Sequence, residues 1–155
     1  MTRNVNRLAR WQRQAFYVTG TLLFFTGVLW LAVHYSVGAG AGELPPPIEA
    51  WSMRLHGLAA FAGLFMFGVL AASHIPRGWR HTRQHRWVGQ RKTGLTLCAL
   101  AVVLAVTGYV LYYFAPDPIR PSLGWAHTIA GVAMGVLILI HRRNKNAEQE
   151  PRMTR

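Results

Sequence analysis

The chain has 155 residues, of which 52% are hydrophobic and 14% charged, whereas an ordinary soluble domain carries about 25% charge. Seventeen Lys and Arg face five Asp and Glu, giving a formal charge of +12, and the charges lie between uncharged spans rather than over a folded face, which points to a membrane and away from nucleic acid. The single cysteine, Cys98, excludes internal disulfides, Cys-rich zinc sites and a C-x-x-C-H haem attachment.

After a basic cytoplasmic N-terminus over residues 1–14, the first span is the uncharged run Gln14 to Gly42, with its helix expected at 15–37. A cleavable signal peptide is the rival reading, but the apolar stretch exceeds the roughly 7–15 residues of a signal-peptide core, so the span is retained. Three further uncharged runs follow, Leu55 to Pro76, Thr93 to Pro116 and Pro121 to His141. Each reaches the roughly 20 residues that a transmembrane helix requires, and helices are expected over 50–75, 92–115 and 122–141. Backbone polarity leaves the helix as the spanning element. The glycines of 38–42 and the prolines at 45–47, 116, 118 and 121 mark turns. The expected fold is all-α: an integral membrane four-helix bundle over 15–141 with antiparallel neighbours, closed by a basic tail over 142–155.

Fifteen of the 17 cations fall in the N-terminal segment, the central Arg77–Lys92 loop or the tail, and two, Arg54 and Arg120, fall on the other side with Glu43, Glu49 and Asp117. The positive-inside rule then places both termini in the cytoplasm. Trp51, Trp125, Tyr112 and Tyr113 mark the outer interface, and Trp11, Trp79 and Trp87 the inner one.

Five of the seven histidines lie in or at the ends of the spans, where ionisable groups are costly and usually functional. His56 and His74 are 18 residues apart and His127 and His141 are 14 apart. At about 100° per residue, each pair lies on one face, of the second and fourth helix respectively. His56 with His127 forms an outer pair and His74 with His141 an inner one. Small or flat residues line the same stripes, Ala60, Gly63, Phe67 and Ala71 on one helix and Gly131, Met134, Gly135 and Ile138 on the other. Neutral imidazoles over such faces suit the irons of two b haems, which need no cysteine, with irons on the order of 20 Å apart.

His34 shares a stripe with Gly20 and Gly27 and stands as an alternative outer ligand, or as a polar residue beside the outer haem edge or a quinone. Arg54 near the outer pair, and Arg77, Arg80, Arg142 and Arg143 near the inner one, suit haem propionates or lipid headgroups. The i, i+4 pair His81 and His85 lies among cations that repel a metal ion, so that loop reads as a solvated surface. Cys98 reads as packing.

With these ligands in place, R-L-H at Arg54–His56, S-H-I-P at Ser73–Pro76, W-A-H at Trp125–His127 and I-H-R-R at Ile140–Arg143 make the chain resemble the small four-helix di-haem b-type membrane cytochromes of bacteria. That group includes the prokaryotic cytochrome b561 type and the cytochrome subunits of respiratory dehydrogenases. The b561 type looks to its first helix for an inner ligand, whereas the only histidine of this first helix, His34, is at its outer end. The inner partner is then His74, which is more similar to the paired helices of bc-complex cytochrome b.

The resemblance implies a bacterial inner-membrane electron carrier between the quinone pool and a separate redox partner. A periplasmic cytochrome or redox subunit suits the short, slightly acidic outer loops with Glu43, Glu49 and Asp117, and His34 or Tyr112 then lies near a quinone or the docking point. A cofactor-free membrane anchor or assembly subunit is the competing expectation. A transition-metal permease is the third, and it lacks a membrane-embedded carboxylate.

Overall fold

A computed structural model describes residues 9–81 and 88–147, with side chains over 9–76 and 91–143. Among these residues the chain is all-helical: α1 (Arg10–Val37), a short 3-10 turn η1 (Ala39–Ala41), α2 (Pro47–His81), α3 (Val88–Tyr113) and α4 (Arg120–Ala147). The chain divides into two units at His74 and Ile75.

Each α-helix holds a segment long and apolar enough to cross a membrane, at 10–41, 47–76, 91–113 and 120–143. The shortest, at 23 residues, rises about 35 Å. Almost none of this apolar surface is covered by protein. The only buried hydrophobic residues are Ala59, Met66 and Ala115 among the described residues, while Phe25, Leu58, Phe61, Phe65, Val106 and Ile129 are exposed. In water such a surface would drive association. In a bilayer the lipid chains cover it, and the backbone is satisfied inside each helix.

The helices outrun the apolar spans at their basic ends. α1 begins at Arg10, α2 continues through Pro76 to His81 and α4 continues to Ala147. Pro76 takes the donor from one backbone bond without ending α2. Just before it, the Ser73 hydroxyl donates to the Val69 carbonyl at 2.6 Å. At the other end, Pro47 opens α2, where its missing N–H is not needed.

In the first unit α1 and α2 meet through hydrogen bonds at two levels. The Thr26 hydroxyl meets His56, and His34 meets Glu49. Between Val37 and Pro47, η1 and Gly42 turn the chain. Gly42 has φ +82°, a left-handed conformation that glycine adopts without strain.

The second unit closes differently. α3 ends in a widened, π-type turn, with Phe114 N and Ala115 N both donating to the Val110 carbonyl at 2.9 and 2.7 Å. The Arg120 guanidinium then donates to the Leu111 carbonyl at 2.9 Å and the Ala115 carbonyl at 2.7 Å. A cation on the last carbonyls of a helix satisfies groups that have no partner within the helix and opposes the negative end of its dipole. Arg120, read from the sequence as a loop charge, is therefore the closing clasp of α3.

Candidate functional site

His56, His74, His127 and His141 sit within the apolar segments, and three of them face a threonine of the other helix in their own unit. Thr26 Oγ1 lies 3.0 Å from His56 Nδ1. Thr107 Oγ1 lies 2.7 Å from His127 Nδ1, and Thr93 Oγ1 lies 2.8 Å from His141 Nδ1.

Each threonine is followed by glycine, and the glycine faces the same ring. A Cβ at Gly27 would stand 3.3 Å from His56 Cε1, one at Gly108 would stand 3.3 Å from His127 Cε1, and one at Gly94 would stand 3.9 Å from His141 Cε1. A side chain at the first two positions would press on the imidazole.

The hydroxyl geometry favours one tautomer at His56 and His127. Thr26 Oγ1 donates to the Leu22 carbonyl at 2.6 Å, with the Leu23 carbonyl farther off at 3.3 Å. Thr107 repeats this, donating to Val103 at 2.7 Å with Leu104 at 3.3 Å. A threonine hydroxyl has one proton. With that proton directed one turn back along its own helix, Oγ1 offers the histidine a lone pair, so Nδ1 carries the hydrogen and donates. At His56 and His127 this arrangement favours a lone pair on Nε2, the form in which histidine ligates a metal through that nitrogen.

The remaining expected site residues fall as follows. His74 is half-buried in the first unit. Arg54 is exposed and lies over the Trp51 ring, 5.1 Å from its centroid. Arg142 and Arg143 are exposed near the end of α4, and Tyr112 is exposed against Tyr113, with ring centroids 4.8 Å apart. The side chains of Arg77, Arg80, His81 and His85 lie outside the described residues. Cys98 is half-buried and unpaired by any disulfide. Among the described residues no three His, Cys, Asp or Glu side chains gather as a metal cage, whereas a six-coordinate haem asks the protein for two axial ligands.

His34 and Glu49 need a correction to the sequence reading. His34 Nδ1 lies 2.6 Å from Glu49 Oε1, and Glu49 Oε2 accepts from the Ala39 backbone N–H at 3.3 Å. Glu49 is 7% exposed. It was expected as a surface charge of an acidic outer loop beside Glu43 and Asp117. It is instead turned into the α1–α2 contact, where its charge meets an imidazole and a backbone donor rather than a docking partner.

The threonines, and every α3 residue facing a histidine, were missed in the sequence reading. A signal was present. The chain has four Thr-Gly pairs, at 19–20, 26–27, 93–94 and 107–108, separated within each span by one or two heptads and hence lying along one helical stripe. Three face a histidine ring, and the fourth places the Thr19 methyl group 3.6 Å from where a Cβ on Gly63 would be.

No family model matches the chain, and comparisons with curated proteins and with solved structures give no match either.

Proposed function

We propose that the protein is a transmembrane electron-transfer cytochrome with two bis-histidine b haems, exchanging electrons between membrane quinol or quinone and a separate periplasmic redox protein. His56 and His127 serve as axial ligands of one haem, and His74 and His141 of the other. This pairing is taken from the helical register of the sequence.

The observation that carries the reading is the repeated hydroxyl bond to Nδ1. It occurs at His56 and at His127 with the same hydroxyl geometry, and it gives each ring the Nε2 lone pair that iron requires. The flanking glycines leave the ring edges uncrowded, and a histidine whose N–H is bound to an acceptor is held in orientation and made more basic. When bound, a b haem supplies a one-electron Fe(III)/Fe(II) couple. The chain's own part is to hold the imidazoles and fix their tautomer, while Arg54 and Arg142 stand at span ends where propionates would find cations.

Further support comes from the contact order within each unit. Residue 26 meets 56 and 34 meets 49 in one, and 107 meets 127 and 93 meets 141 in the other. This suits antiparallel neighbours. The cation count suits an inner-membrane protein with both termini cytoplasmic.

A reduced-minus-oxidised absorbance spectrum of the purified protein, with haem counted by pyridine extraction, tests the reading. Two haems per chain are expected. A featureless spectrum overturns the proposal and leaves the membrane-anchor reading. If His34→Ala removes a haem while His56→Ala does not, the outer pairing is wrong. A reporter fused after Arg155 that proves periplasmic overturns the orientation.

A further inference from the structure

We infer that Arg120 and the aromatic rings at the C-terminal end of α3 form a binding site for a zwitterionic phospholipid headgroup, the guanidinium taking the phosphate and the rings the ammonium. The inference goes beyond the function proposed above. It lies entirely within the α3–α4 unit and uses none of the four paired histidines.

Arg120 is held in place before any ligand arrives. Nη1 donates to the Leu111 carbonyl at 2.9 Å and Nη2 to the Ala115 carbonyl at 2.7 Å, so the protein uses two of the five N–H groups that a guanidinium carries. The others, Nε–H among them, make no hydrogen bond among the described residues. The side chain is 51% exposed, and the carboxylate beside it is that of Asp117, with Oδ1 3.8 Å from Nε. That separation is too long for a hydrogen bond, and the Asp117 side chain is itself fully in solvent. An anchored guanidinium with donors to spare suits a phosphate, and it gives up little freedom on binding one.

The depth of Arg120 selects a lipid. The apolar segment of α3 ends at Tyr113 and that of α4 begins at Arg120, so the guanidinium stands where hydrocarbon gives way to headgroups. A phosphate carried on acyl chains is concentrated at that level.

The rings supply the second contact. Tyr112, Tyr113 and Phe114 lie between the two residues whose carbonyls hold Arg120, and Tyr109 lies one turn before Tyr113. Tyr109 meets Tyr113 at 4.9 Å and Phe114 at 5.7 Å between centroids, with planes tilted by 45° and 49°, and Tyr112 meets Tyr113 at 4.8 Å. All four are exposed. Rings grouped in this way present electron-rich faces to a cation. One helical turn, about 5.4 Å, is also close to the reach from phosphate to ammonium in phosphatidylcholine or phosphatidylethanolamine. A phosphate alone leaves the rings idle, and an ammonium alone meets the repulsion of Arg120. The zwitterion satisfies both.

Asp117 separates binding from mere support of the fold. It stands beside Nε and repels a phosphate there, so removing its charge should tighten binding while both carbonyl bonds remain.

The test uses the full-length protein in dodecyl maltoside, which brings neither phosphate nor ammonium. Native mass spectrometry measures the binding of dioctanoyl phosphatidylcholine, the matching phosphatidylglycerol and the matching diacylglycerol. Phosphatidylcholine is expected to bind about tenfold or more tighter than the diacylglycerol, the weight of charge-assisted hydrogen bonds. It is expected to bind about two- to fivefold tighter than phosphatidylglycerol, the weight of an exposed cation–π contact. Arg120→Gln is expected to remove the preference over the diacylglycerol, and Tyr109→Leu with Tyr113→Leu the preference over phosphatidylglycerol. Asp117→Asn is expected to tighten phosphatidylcholine binding by about two- to fivefold, the weight of an exposed charge pair.

Phosphatidylcholine binding that does not exceed that of either comparison lipid overturns the proposal, as does an Asp117→Asn protein that binds it no better. Displacement of the lipid by equimolar inorganic phosphate overturns it too, because the site is then one for free phosphate. If Arg120→Gln does not fold, the headgroup comparison and Asp117→Asn still decide. The haem spectrum of the same samples reports on the histidines alone, so failure of either reading leaves the other standing.

Discussion

The two helix pairs treat a histidine alike and finish their turns differently. At His56 and at His127 a threonine hydroxyl takes the Nδ1 hydrogen, its own proton goes one turn back, and the following glycine lies against Cε1 at the same 3.3 Å virtual contact. Yet α1 joins α2 through η1, Gly42 and a part-buried His34–Glu49 bond, whereas α3 joins α4 through a guanidinium laid on two carbonyls. The recurring part is what the local chemistry around the imidazole demands, and the connectors are free to differ. In this molecule the ring geometry is therefore a matter of helix register and residue size, not of loop design.

Breaking the equivalence at the proposed ligands should have the largest effect. His56→Ala and His127→Ala should each remove the same one haem of two, counted by pyridine extraction, because either loss leaves one axial position without its imidazole. If the two variants leave different haems, the register pairing is wrong. Gly27→Val and Gly108→Val come next. Each would push on an imidazole through a contact already at 3.3 Å for a bare Cβ, and each should lower haem occupancy by about tenfold or more, measured by titrating haem into protein purified from haem-limited cells. A normal occupancy in both would show that the rings shift freely.

The hydroxyls give a finer comparison. Thr26→Val and Thr107→Val keep the side-chain shape and lose the acceptor, so haem affinity should fall by about 10- to 100-fold, the usual cost of losing a partner behind a metal ligand, and the midpoint potential should move. Serine at either position should restore both. Opposite shifts in potential for the two valine variants would end the claim that the sites are equivalent. Arg120→Ala should be the mildest. It exposes carbonyls at the end of α3 and should cost about 1 kcal/mol, seen as a small drop in the thermal unfolding midpoint, with the haem spectrum unchanged.

Much of the fold was legible because membranes make charge conspicuous. Arg13, Glu43, Arg54 and Arg77 bound the first two uncharged runs closely enough to place two helices, and the glycine and proline runs at 38–47 and 115–121 mark turns. The extra helical turns at Arg10–Gln14 and Arg142–Ala147 were less so, since hydropathy reports the lipid boundary and not the end of the hydrogen-bonded backbone.

The histidines were visible through spacing on single helices, a property of one segment. Their partners are a property of two. Only the glycine after it distinguishes Thr26, which meets an imidazole, from Thr21, and the recurrence of Thr-Gly at heptad multiples gains meaning only once α1 lies against α2 and α3 against α4. Glu49 misled for the same reason. Two residues after a proline run it looks like loop chemistry, and its burial follows from the return of α2 past His34, which no local pattern records.

The double engagement of Thr26 has a spectroscopic consequence. A single oxygen joins the His56 ring to the Leu22 carbonyl, so the bonds are in series and each polarises the next. Any change in the electron demand of the imidazole must reach a backbone carbonyl of α1 and alter the stretching frequency of that C=O. An isotope label at Leu22, with a matching one at Val103 for Thr107 and His127, would turn two amides of the membrane-spanning backbone into infrared gauges of their histidines. Each ring could then be followed separately in one chain.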